Sequence, residues 1–255
     1  MVTIAVGLLA LAAGRGWTTA WAVTAVLAGQ LFIGWTNDYL DQALDRRAGR
    51  RDKPIVSGEV PAGRVRTAAV VALIACLPLS LANGLAAGAV HLLAVGVASA
   101  YNAWLKSTPA SVLAYAAGFG LVPAFVTLGL TPSHLPPAWA TLGAALLGAG
   151  AHFSQTLPDI EAERRLGVRG LPQLLGTTAS TLIAAALLAG SALAILFGPG
   201  RQDELQLVAL VATLLLIAGV TAAGLGGRDR LAFRLTLVAA GAIAVLFVAG
   251  GRSLA

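Results

Sequence analysis

Charged side chains are scarce in this sequence. They make up 11% of its 255 residues against 58% hydrophobic, and mean hydropathy is +0.83. A soluble domain carries about 25% charged residues because water must wet its surface, so soluble, disordered and collagenous classes are excluded. Cysteine is almost absent: Cys76 stands alone in an apolar run, and no internal disulfide can form. Period-2 alternation is missing too, and the apolar runs are too long for strands, which excludes a β-barrel. Aromatics are 6% of the chain and do not interleave with the basic residues. A nucleic-acid stacking platform needs such interleaving, so nucleic acid is excluded as a partner. What remains is an integral membrane protein.

A membrane-crossing helix needs about 20 mainly apolar residues. Runs with little or no charge fall at 17–36, 67–82, 87–105, 110–130, 137–157, 174–197, 205–225 and 231–249. Turn residues separate them at Asn83-Gly84, from Thr131-Pro132 to Pro136-Pro137, and at Gly198-Pro199-Gly200. The apolar stretch 1–13 would extend only about 20 Å as a helix, short of a hydrocarbon core of about 30 Å. It reads as a truncated or re-entrant first helix. A signal peptide is the other reading, weakened by the lack of Lys or Arg before the apolar stretch. The expected fold is therefore all-α: one polytopic bundle over 1–255, with eight full spans and a short N-terminal helix.

Orientation follows from the cations. Segments 37–66, 106–109, 158–173 and 226–230, with Arg234, hold 14 of the 17 Lys and Arg residues. Arg15, Arg201 and Arg252 fall on the other side. Positive loops stay cytoplasmic, so the net charge of +6 and pI of about 10.4 record topology.

The positive-inside rule does not account for carboxylates, yet nine of the eleven lie on that same side. Most form two clusters, each at the end of a span. The first runs from Asn37 and Asp38 through Asp41 to Asp45; if the helix continues past the membrane, Asn37, Asp41 and Asp45 share one face. The second is Asp159, Glu161 and Glu163, with Asp159 and Glu163 again four apart. Like charges at that spacing repel, so arginines or a divalent cation should compensate them.

The clusters are copies. A shift of 118 residues lays Asp41 on Asp159, Asp45 on Glu163, Arg46-Arg47 on Arg164-Arg165 and Gly49 on Gly167. It also lays Arg51 on Arg169, Pro54 on Pro172 and Gly58 on Gly176. Four spans separate the two, which returns the chain to the same side, so two pseudo-repeated halves would face each other. Opposed carboxylate pairs suit Mg²⁺, held through a few oxygens with the other positions left to water and phosphate. Neighbouring Lys and Arg can clamp phosphate oxygens, and an apolar pocket between spans would accept a hydrocarbon. The chemistry is that of a lipid diphosphate; the competing reading is a solvated charged rim.

At these residues the chain resembles the UbiA-type family of membrane prenyltransferases. Its first motif matches Asn37, Asp38, Asp41 and Asp45, followed by Arg51 and the run Lys53-Pro54-Ile55-Val56-Ser57-Gly58. The second matches Asp159, Glu161, Glu163, Arg164, Gly167 and Leu171-Pro172, and a third element matches Tyr101 and Lys106. Glu163 stands where Asp is more usual. The resemblance implies nine transmembrane helices, against eight and a stub here, and hence a natural reading frame that starts upstream of Met1. It also implies Mg²⁺-dependent transfer of a prenyl group from a polyprenyl diphosphate to a lipophilic, often aromatic, acceptor. By position, Asn37, Asp41, Asp159 and Glu163 would form the metal shell, with Asp38 and Asp45 next to it. Lys106 and Tyr101 would contact diphosphate, assisted by Lys53, Arg51 and Arg164. The site would face the cytoplasm, in what reads as a bacterial cell membrane.

Other residues have weaker roles. His152 sits two helical turns before Asp159 and reads as a packing histidine that could alternatively meet the acceptor. Tyr115, Phe119, Trp104 and Phe153 are candidates to line a carbocation pocket through their π faces, or are packing and interfacial residues. His91 and His134 read as uninvolved, and Glu161 as an arginine partner. A terpene cyclase would ionise the same diphosphate. A transporter is the more distant alternative, because transporter sites lie near the midplane.

Overall fold

The structure, a computed structural model, describes residues 2–200 and 202–254. Met1 and Arg201, both named above, lie outside the described residues. The helices in chain order are α1 (Val2–Ala12), α2 (Thr19–Arg47), α3 (Pro54–Ser57), α4 (Ala62–Leu81), α5 (Leu85–Ala103) and α6 (Ser111–Thr127). They continue as α7 (Ala138–Thr156), α8 (Ile160–Arg165), α9 (Leu171–Phe197), α10 (Glu204–Leu225) and α11 (Asp229–Ala249). No strand occurs among the described residues.

Each apolar run of the sequence becomes a helix. Six of them, α2, α4, α5, α9, α10 and α11, are long and apolar enough to cross a membrane by length and composition. That is fewer than the eight full spans expected. Helix α6 falls short because it stops at Thr127, where Leu128, Gly129 and Leu130 close a turn. Helix α7 has the length but less apolarity. It is enclosed by α6, α9 and α11 and built from small residues that let its neighbours approach. Leu188 packs over Gly150 and Ile195 over Gly143. The short N-terminal helix is present as α1, and its Val6, Leu9 and Ala10 are buried against the central core.

The helices close into a ring through the neighbours α1, α2, α5, α6, α7, α9, α10 and α11, with α4 outside α2 and α5. The 118-residue shift runs through the fold. It carries the start of α6, Ser111, onto Asp229, the start of α11, and the span of α5 onto that of α10. Helix α9 is bent at Gly176 (φ 81°, ψ 174°), so its first turn corresponds to the separate α3, which ends at Gly58 (φ 83°). The turns behind the two acid clusters also agree. Gly49 and Gly167 have φ of 69° and 84°, a left-handed conformation that glycine adopts without penalty. The next N–H reaches back to the cluster's last acid in both: Arg50 N to Asp45 O, and Val168 N to Glu163 O, each 3.0 Å.

Candidate active site

Helix α2 has 29 residues, about 43 Å, so its last turns outrun a hydrocarbon core of about 30 Å. It stays helical to Arg47, which puts Asn37, Asp41 and Asp45 on one face as expected. The second cluster is built differently. Helix α7 ends at Thr156, a 3₁₀ turn spans Leu157–Asp159 around Pro158, and Glu163 then projects from α8. Proline removes a donor and breaks the helix, so Asp159 and Glu163 sit on separate elements.

The acids are compensated by bases drawn from across the chain. Lys53 donates to Asp38 at 2.6 Å, and Lys106 to Asp41. Arg50 Nη1 lies 3.4 Å from Asp159 Oδ2, which ties the loop behind the first cluster to the start of the second. Glu163 accepts from Gln173 Nε2 at 2.5 Å. Burial raises its pKa, as does Asp159 nearby, while the Gln173 hydrogen bond, Arg50 and Lys106 act the other way. Both clusters therefore share one electrostatic environment.

The expected residues divide into two groups. Asp38, Asp41, Asp45, Asp159, Glu163, Lys53 and Lys106 are each at least partly enclosed, as is Asn37. Arg51 is exposed and unpaired among the described residues, and Arg164 pairs outward with Glu161 at 3.5 Å. The sequence reading did not single out Arg50 and Gln173. One signal marks both: they are places where the repeat breaks, Arg50 facing Val168 and Gln173 facing a buried Ile55.

An apolar cavity of about 370 Å³ lies inside the bundle, and Tyr101 in its wall is close enough to Asp41 and Glu163 to feel their charge. Tyr101, Asn102, Gln155 and Tyr115 line its near end, and Phe119 and Phe125 lie deeper. Tyr101 and Tyr115 meet edge to face at 5.0 Å, and Gln155 holds the Tyr115 hydroxyl. His152 is 1% exposed and bonds through Nε2 to Ser111 Oγ at 3.0 Å, behind the tyrosines, so it packs helices. Phe153 is equally buried, and Trp104 turns outward. His91, read as uninvolved, lines the deep end, bonded to Ser80 and tilted against Phe125.

The acids are hard oxygen donors of the kind Mg²⁺ takes. Among the described residues no three His, Cys, Asp or Glu side chains converge to hold a metal unaided. One or two carboxylates from each cluster would be completed by ligand phosphate oxygens and water, the usual Mg²⁺ arrangement.

The UbiA prenyltransferase family matches residues 1–232. Solved structures agree in fold. A UbiA homolog from Aeropyrum pernix K1, in its apo form, is 18% identical with a TM-score of 0.80, covering 97% of this chain and 96% of that one. A digeranylgeranylglyceryl phosphate synthase is 16% identical with a TM-score of 0.70, covering 99% and 93%. A UbiA homolog from Archaeoglobus fulgidus, bound to GPP and Mg²⁺, is 19% identical with a TM-score of 0.66, covering 98% and 94%. No curated protein matches the chain.

Proposed function

The chain belongs to the UbiA prenyltransferase family and is an integral membrane protein, and from that premise we propose that it transfers the prenyl group of a polyprenyl diphosphate to a lipophilic acceptor. The observation that carries this reading is the convergence of two acid clusters, joined by Arg50 and Asp159, beside Tyr101 in the wall of one apolar cavity. Ionic chemistry beside Tyr101 and hydrocarbon in the cavity would serve the two halves of an allylic diphosphate. A solved UbiA homolog bound to GPP and Mg²⁺ has the same fold.

In this reading Asn37, Asp41, Asp159 and Glu163 hold Mg²⁺, and Asp38 and Asp45 support them. The bound ions supply positive charge to the departing diphosphate. Lys106 and Lys53 add mobile ammonium groups beside Asp41 and Asp38, each able to swing from carboxylate to phosphate. Arg50, more than Arg51 or Arg164, is placed to reach a ligand between the clusters. As the allylic C–O bond breaks, its electron pair leaves with diphosphate. The π faces of Tyr101, Tyr115 and Phe119 line the space where positive carbon develops. An electron pair of the acceptor then closes the new bond, and the acceptor loses a proton. The cavity walls keep water from intercepting the cation. The excess of Lys and Arg in the adjoining loops supports a site at the cytoplasmic edge.

Product analysis tests the assignment. Purified protein in liposomes with geranylgeranyl diphosphate should release diphosphate and form a prenylated product only when a lipid extract supplies acceptor. A cyclised hydrocarbon formed without any acceptor would make the protein a cyclase instead.

A further inference from the structure

The elbow between α10 and α11 is the repeat counterpart of the elbow that carries Lys106. The 118-residue shift takes Ala110, the N-cap of α6, onto Arg228, the N-cap of α11. In the first half the elbow's cation is matched by an acid, Lys106 with Asp41. In the second half the elbow carries Arg228, Arg230 and Arg234, all exposed. None of them has an acidic partner within 4.0 Å among the described residues.

These arginines line a concavity of about 540 Å³ with Pro158 and Asp229. Arg230 and Arg234 are four residues apart on α11 and share a face. Asp229 is the one acid present, which leaves the pocket positive. The first turn of α11 also lacks a side-chain cap, whereas α10 opens with a capping box from Asp203 and Gln206. Uncapped N–H groups and the helix dipole add to the attraction for an anion. Leu231 in the pocket wall is followed by Val238 and Val245, all three exposed at seven-residue spacing, an apolar stripe that starts at the pocket and runs up one side of α11.

We propose that this elbow binds the phosphate headgroup of an anionic amphiphile whose hydrocarbon lies along Leu231, Val238 and Val245. Arginine's planar fork matches phosphate oxygens, and an anionic bilayer lipid or a phosphorylated isoprenoid would each present them. The site is coupled to the second acid cluster. Pro158 lines the pocket, and its neighbours Leu157 and Ile160 pack on Val220, Ala223 and Ala232 of α10 and α11. A bound headgroup would therefore steady the turn from which Asp159 projects. That consequence for catalysis rests on the proposed function; the binding does not.

The test uses the full chain in neutral detergent with EDTA and no prenyl diphosphate. Short-chain phosphatidylglycerol, phosphatidylcholine of the same chain length and geranylgeranyl monophosphate are titrated in separate arms, with native mass spectrometry and hydrogen exchange as readouts. Phosphatidylglycerol should bind saturably and slow exchange over 157–165. Binding should weaken roughly tenfold or more in Arg230→Gln/Arg234→Gln, the loss expected when charge-assisted hydrogen bonds go. Arg228→Gln alone should give a smaller loss, and Arg64→Gln/Arg66→Gln, at the start of α4 on the same side, none. If the arginine-dependent binding is tighter for the monophosphate, the pocket takes a phosphorylated isoprenoid; if tighter for phosphatidylglycerol, it takes a bilayer lipid. Equal losses from both arginine pairs, or equal binding of phosphatidylcholine, would overturn the proposal.

Discussion

Arg50 reaches from the loop behind the first acid cluster to Asp159 at the start of the second, with 3.4 Å between Nη1 and Oδ2 across 109 residues of chain. The pair is half exposed, with side chains 41% and 44% accessible, so its contribution to stability stays below about 1 kcal/mol. Its value is positional. Arg50→Ala should leave the melting temperature nearly unchanged and raise KM for the prenyl diphosphate by about tenfold, the loss of one charged hydrogen bond. Arg51→Ala, whose side chain faces solvent, should change KM less than about twofold. Steady-state kinetics on both variants checks the order, which a reversed ranking would contradict.

Gln173 is the hydrogen-bond donor to Glu163. Burial raises the Glu163 pKa and the Gln173 hydrogen bond lowers it, so Gln173→Leu should raise it further. A carboxylate must lose its proton to hold a metal. The variant should therefore need several-fold more Mg²⁺ for half-maximal activity near neutral pH. The deficit should shrink as pH rises, because the deprotonated form recovers. Mg²⁺ titrations at two pH values test this, and a deficit that grows with pH would contradict it.

Much of this site was legible because the chain repeats itself. The shared residues, Asp41 and Asp159 above all, set the two clusters on the same side, and Gly49 and Gly167 gave both their turns. The differences between copies were harder to read, because a difference has no motif. Arg50 faces Val168 and Gln173 faces Ile55, and these two bond to Asp159 and Glu163; Lys53 and Lys106, which face Leu171 and Gly224, were legible only through the family motifs. The break at Pro158 was also hidden, since an apolar run continues to Leu157 and hydropathy does not register a lost backbone donor. The eight apolar runs outnumber the six helices that are long and apolar enough to cross a membrane for a related reason. Charge-free length identifies a helix, but α7 is enclosed by protein and needs little of the apolarity that lipid demands.

At the far end of the bundle, Arg15 is 5% exposed and donates from Nη2 to Asn83 Oδ1 at 2.7 Å, with its guanidinium 5.7 Å from the Phe125 ring centroid. A buried cation deprived of its acceptor is costly. Asn83→Leu should lower stability by about 1–3 kcal/mol, seen as a lower melting temperature in detergent. KM for the donor should barely change, because the charged site is at the opposite end. An unaltered melting temperature would show that water already satisfies Arg15.

Gly118 lines the cavity, and an added Cβ there would meet no atom within 4 Å. Gly118→Val should therefore fold normally while shortening the space for hydrocarbon. Turnover of geranylgeranyl diphosphate should fall at least about tenfold relative to geranyl diphosphate, in line with the few kcal/mol that pocket methylenes are worth. Parallel kcat/KM values for the two donors measure it, and equal losses for both would remove the cavity from the tail-binding role.

The central claim is that two acid clusters act together on one diphosphate, and diphosphate release by single variants tests it most directly. Asp41→Asn and Asp159→Asn keep side-chain shape and remove one charge from each cluster. Each should lower Mg²⁺-dependent release by at least about a hundredfold, the rate equivalent of a few kcal/mol of charge stabilisation. Excess EDTA should abolish release, and Glu163→Asp, which keeps its charge, should be much milder. Undiminished release in EDTA, or in a folded Asp159→Asn protein, would contradict the account.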